Sequence, residues 1–125
     1  MTENEIATMI VDIGFHIHKD IGCGLYEKVY QIVMCDELER RGLSFQSEVD
    51  VPIVYKERTI ERAFRADIIV EDKVIIELKS LAEISDVHRK QLHTYLKLSD
   101  RKLGLLINFG SILYKNGVER IVNNL

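Results

Sequence analysis

The chain has 125 residues, 46% of them hydrophobic and 30% charged, with one proline (Pro52) and seven glycines. That length suits one domain (residues 1–125) with one ordinary core, and that composition excludes collagen-like, low-complexity and disordered classes. The net charge of −3 excludes a wholesale polyelectrolyte grip on nucleic acid. It is unevenly spread, with three basic against eight acidic side chains in residues 1–40, seven against eight in 41–80 and seven against four in 81–125. The basic last third is therefore the part suited to facing phosphates.

No apolar run approaches the ~20 residues that span a bilayer, and the acidic start Met1-Thr2-Glu3-Asn4-Glu5 lacks the basic region of a secretory signal. A cytoplasmic location is the default expectation, with no membrane partner. Cys23 and Cys35 fit neither CxxC nor a paired metal spacing and are expected to be reduced and buried. His16 and His18 diverge on a helix, and His88 and His93 are five apart, so no zinc site is expected.

In chain order, Thr2-x-x-Glu5 reads as a capping box, and Ile6, Met9, Ile10, Ile13, Ile17 and Ile21 follow at helical spacing, giving a helix over 3–21 that Gly22 stops. A second helix over 25–41 carries Leu25, Val29, Ile32, Val33 and Leu38 on its apolar side and ends with Arg40-Arg41 before Gly42. From Leu43 the period changes to two. A strand to Tyr55 holds Pro52, which marks an edge or a bulge; Lys56-Glu57-Arg58 turns into a second strand over 59–70, and Glu71-Asp72-Lys73 into a third over 74–79. Ser85-Asp86 caps a helix to Leu98, and Lys102–Asn108 is a fourth strand. Asn116-Gly117 is a type I′ turn signal for a last hairpin of 112–115 and 118–122. The order α-α-β-β-β-α-β-β-β describes an α/β (α+β) fold with a central mixed sheet flanked by helices.

Charge breaks the pattern in the second and third strands. The even positions Phe64, Ala66, Ile68, Val70, Val74, Ile76 and Leu78 are apolar and read as one buried face, whereas the odd positions carry Arg65, Asp67, Ile69, Ile75, Glu77 and Lys79. With Val70 opposite Val74, Asp67 lies across from Glu77. Two carboxylates about 5 Å apart repel by roughly 3 kcal/mol at an effective dielectric near 20. Two arrangements answer that repulsion: a solvated face on which Arg65 and Lys79 neutralise the acids, or a divalent cation held by hard oxygen ligands. Ile69 and Ile75 on the same face favour a partly covered cleft.

Asp67 followed by Glu77-Leu78-Lys79 resembles the D…ExK signature of the PD-(D/E)xK nuclease superfamily. Gln91-x-x-x-Tyr95 is similar to the QxxxY motif of its RecB-like, lambda-exonuclease-like branch, and Gly24-Leu25-Tyr26-Glu27-Lys28-Val29-Tyr30 matches the motif of the GxxExxY protein family. The resemblance covers nearly the whole chain. It departs from the superfamily pattern at Ala66, where the name has proline, and in lacking cysteines for an iron-sulfur cluster.

The resemblance implies a restriction-endonuclease-like core and a metal-dependent nuclease acting on nucleic acid, DNA above all, by in-line attack that leaves a 5′-phosphate. Asp67, Glu77 and the Leu78 carbonyl would hold Mg2+ or Mn2+, with Glu27 a further ligand. Glu27 also suits a helix first turn without any metal. Lys79 would orient the attacking water and favour its deprotonated form, and Gln91 and Tyr95, one helical turn apart, would contact the lysine or the phosphate. Tyr26 and Tyr30 read as packing residues, with strand stacking as the other role. Arg89, Lys90, Lys97, Arg101 and Lys102 are the expected nucleic-acid backbone contacts. Gly22-Cys23-Gly24 is no dinucleotide fingerprint, since Glu27 takes the third glycine position and no strand precedes it. A homodimer is the prior for small nucleases that cut two strands. The competing expectations are a catalytically inactive nucleic-acid-binding module of the same fold and a protein-interaction domain.

Overall fold

The computed structural model describes residues 1–125. Two helices, α1 (Glu3–Ile21) and α2 (Glu27–Arg40), precede strands β1 (Phe45–Tyr55), β2 (Arg58–Val70) and β3 (Val74–Lys79). Helix α3 (Asp86–Leu98) leads to β4 (Leu103–Asn108), and a short 3-10 turn, Tyr114–Gly117, leads to β5 (Val118–Val122). The capping box forms: Thr2 Oγ1 accepts from Glu5 N–H, and Glu5 Oε1 accepts from Thr2 N–H. No helix is long and apolar enough to cross a membrane.

The five strands lie in the order β1-β2-β3-β4-β5, antiparallel except for the β3–β4 pair that α3 connects. Every residue of β4 is buried, as expected of a central strand covered on both faces. One layer beneath the sheet packs α1 and α2 through Ile6, Ile10, Ile13, Tyr30, Met34 and Leu38 against Ile68, Val70, Ile76 and Leu78. The other packs Leu92 and Leu96 of α3 against Ile69, Ile75 and Leu106. Helix α3 lies so close to β4 that a Cβ at Gly104 would come within 2.9 Å of the Leu92 side chain.

Four expectations are corrected. The even positions of β2 do not share one face: Phe64 and Ala66 pack on the α3 side and Ile68 and Val70 on the α1–α2 side. The switch falls at Asp67, opposite Glu48, whose positive φ of 49° interrupts the β1–β2 ladder between Ser47↔Ile68 and Val49↔Ala66. Helix α2 buries Tyr30, Gln31, Met34 and Leu38, whereas Leu25, Val29 and Ile32 are exposed. The last hairpin is a single strand, because Tyr114 turns inward, its hydroxyl donating to the Val11 carbonyl, and the chain around it coils as a 3-10 turn. Cys23 is exposed and Cys35 half-buried; both are free thiols. Pro52 is where expected, at a register shift on edge strand β1.

Candidate active site

The site arises where two strands part. β2 and β3 pair through Val70↔Val74, Ile69↔Ile75 and Ile68↔Ile76, and the ladder ends there. β3 continues beside β4 as far as Lys79↔Asn108. In the fork the Asp67 carboxylate stands in for the missing strand partner: its Oδ2 accepts from Leu78 N–H at 2.8 Å. Phe109 N–H donates to the Lys79 carbonyl on the β4 side, so by strand alternation the Leu78 carbonyl opens toward the fork. Glu77 stands on the same face as Asp67, within hydrogen-bonding reach of it. The Asp67–Glu77 juxtaposition expected from an odd-numbered turn is therefore present.

Helix α3 roofs the pair. Tyr95 stacks on Phe64 with ring centroids 3.9 Å apart, and Gln91 lies one helical turn before it on α3. Burial, with the Glu77 and Asp67 charges, raises the Tyr95 pKa. Lys79 is half-buried at the end of β3, next to the acids.

Glu77 is the most perturbed group of the site. Burial first, and the neighbouring Asp67 charge second, push its carboxyl up to about 9, because both penalise the ionised form. Its Oε1 is buried without a hydrogen-bond partner, a costly condition for a carboxylate. A hard cation between Glu77 and Asp67 would supply the missing partner and reverse the repulsion. Magnesium binds through one or two carboxylates and keeps several waters, so two acids and one open carbonyl fit such an ion.

Glu27 is exposed at the start of α2 and is not gathered with the acidic pair; no three acidic, histidine or cysteine side chains converge as a metal cluster. The Gly24…Glu27…Tyr30 motif has a structural role. The buried Tyr30 hydroxyl donates to the Gly22 carbonyl and accepts from Leu25 N–H, and its ring stacks on Phe109 at 4.4 Å. Tyr30 thus ties down the loop that presents Glu27. Tyr26, expected to pack, is 87% exposed.

Two of the five basic residues are committed elsewhere. Arg89 is held by Asp86 and Glu119, and Arg101 by Asp72 at the β2–β3 turn. Lys90, Lys97 and Lys102 are exposed. Sequence reading missed Asn108, a buried amide whose Nδ2 donates to the Leu81 carbonyl and whose Oδ1 accepts from the N–H groups of Leu81 and Gly110. It fixes the segment leaving Lys79. The available signal was one polar side chain ending the apolar run Leu103–Ile107.

An α+β sheet covered by helices on both faces, with D…ExK acids at a strand fork, defines a restriction-endonuclease-like nuclease fold. The model of the PD-(D/E)XK nuclease superfamily matches residues 4–121, and the chain belongs to that superfamily. Its members are hydrolytic nucleases that generally use divalent metal ions. No curated protein and no solved structure matches the chain.

Proposed function

We propose that the protein is a Mg2+- or Mn2+-dependent deoxyribonuclease of the GxxExxY group, on the RecB-like side of the superfamily, folded as a single domain and acting in the cytoplasm. The observation that carries this reading is the buried, partnerless Glu77 Oε1 beside Asp67. Asp67, Glu77 and the Leu78 carbonyl are the ligand set; Glu27, which stands apart from the acidic pair, is not one of them. When bound, the cation would neutralise charge on the scissile phosphate and the leaving oxygen. Lys79 orients the attacking water and takes part in its deprotonation. Tyr95, held by its stack on Phe64, offers a hydroxyl to the phosphate or to Lys79, with Gln91 beside it on α3. Lys90, Lys97 and Lys102 contact the strand backbone; Arg89 and Arg101 keep their carboxylate partners. A homodimer would serve a two-stranded substrate.

The test pairs binding with turnover. Titration calorimetry should show magnesium heat in the wild type that Glu77→Ala loses. Single-stranded, duplex and nicked DNA, and RNA, incubated with magnesium or manganese should then separate the alternatives. Cleavage equal in wild type and Lys79→Ala marks a contaminant, and no cleavage of any substrate favours an inactive binding or interaction module.

A further inference from the structure

Next along the chain from Lys79 lies a second feature that the proposed chemistry does not use. A cleft of about 410 Å3 opens between the start of α2 and the segment after β3, walled by Gly24, Tyr26, Glu27, Ser80, Leu81 and Gly110, in the volume range of small-molecule sites. Hydrogen bonds and close packing tie down its walls. On one side Tyr30 holds Gly22 and Leu25, and Ser80 Oγ donates to the Leu25 carbonyl at 2.5 Å. On the other, Asn108 holds both backbone groups of Leu81, and a Cβ at Gly110 would overlap the Leu81 backbone. At the rim stands Tyr26, whose backbone is fixed as the N-cap of α2 while its ring is 87% exposed.

The chemistry narrows the occupant. No cationic side chain lines the cleft and its one charge is the acidic Glu27, so a phosphate does not belong in it. A neutral, planar ring does: it can enter between backbone walls and stack on Tyr26, as bases stack on aromatic platforms whatever their identity. Ser80 directly follows Lys79 in the chain, so a strand whose phosphate lies at the acidic pair is within reach of the cleft with its neighbouring base. A base still paired in duplex has no free face to offer.

We infer that this cleft is a base-stacking subsite, with Tyr26 as its platform, that selects unpaired nucleotides next to the scissile phosphate. The inference rests on the nuclease reading for its place in catalysis, and its test is separable from that reading. The chain contains no tryptophan, so Tyr26→Trp in an Asp67→Asn background installs a single tryptophan, excited selectively above the tyrosine absorption, without turnover. Titration with a mixed-sequence single-stranded oligonucleotide should quench that tryptophan, whereas a fully abasic strand of equal length and a blunt duplex should not. In the otherwise wild-type enzyme, Tyr26→Ala should weaken single-strand binding about tenfold and Tyr26→Phe should preserve it. Absent quenching, or equal quenching by the abasic strand, overturns the subsite. Quenching by bases in a protein that cleaves nothing would leave the subsite standing and sink the nuclease reading alone.

Discussion

The two ends of the β2–β3 hairpin make opposite uses of the same antiparallel pairing. At the turn end, Val70↔Val74 and Ile69↔Ile75 form a closed ladder whose side chains are buried on both faces. At the fork end the ladder stops, Asp67 takes over a backbone N–H, and Glu77 is left with a buried oxygen that nothing satisfies. Closed pairing stabilises and does no chemistry; open pairing costs stability and leaves polar groups free to bind something. The contrast predicts that substitutions at the fork change activity far more than stability, and that those at the turn end do the reverse.

The largest effect expected is on turnover. Lys79→Ala should lower the cleavage rate by about 100-fold or more, the usual contribution of a positioned proton-transfer group, with little change in melting temperature, since Lys79 makes no side-chain hydrogen bond. Rate and melting curve measured on one preparation would break the comparison if both collapsed together. The converse is Ile75→Ala. Ile75 is fully buried between β2 and α3, so its truncation should cost about 2–5 kcal/mol in denaturant unfolding, while the folded fraction keeps its magnesium heat.

Glu77 sharpens the comparison through pH. Its carboxyl is ordinary in the unfolded chain and pushed up to about 9 in the folded one. The metal-free protein is therefore favoured at low pH, where Glu77 is protonated in both states, and loses stability as pH rises from the unfolded value through 9. Glu77→Gln should remove that slope and raise metal-free stability near neutral pH by about 1–3 kcal/mol. Magnesium should stabilise the wild type, releasing a proton as it binds, and leave Glu77→Gln unmoved. A wild-type stability flat between pH 5 and pH 9 would contradict the buried acid.

How much of this was legible in the sequence follows from which forces act locally. The strand register and the Asp67–Glu77 pairing could be read because the odd-numbered turn and the alternation of apolar residues fix them. The switch of faces at Asp67 could not, because it depends on a left-handed Glu48, a conformation that no residue type announces outside glycine and asparagine. The buried side of α2 was misread because Tyr30 and Met34 pack under Phe109 and the sheet while Val29 and Ile32 face out; nothing within the helix distinguishes the two apolar stripes. Asn116-Gly117 signalled a hairpin, but the long-range Tyr114 bond to Val11 overrides the local turn preference. Arg101 looked free because its partner Asp72 lies 29 residues away in the chain; for Arg89 the i,i+3 partner Asp86 was legible, but Glu119, 30 residues away, was not.

The smallest predicted effect concerns the loop on which the site opens. Tyr30→Phe keeps the stack on Phe109 but removes the hydroxyl that donates to the Gly22 carbonyl and accepts from Leu25 N–H. The stability loss should be about 1 kcal/mol, the net worth of a part-buried hydrogen bond. If that hydroxyl only packs, activity per folded molecule should be unchanged. If it sets the loop, single-strand affinity should fall while the magnesium heat stays, because Gly24 and Tyr26 are presented by the loop that Tyr30 ties down and the acidic pair is not. Comparing Tyr30→Phe with Tyr26→Ala in the same binding assay therefore separates the platform from its support: the second removes the stacking ring, the first only loosens it, and the first should show the weaker defect.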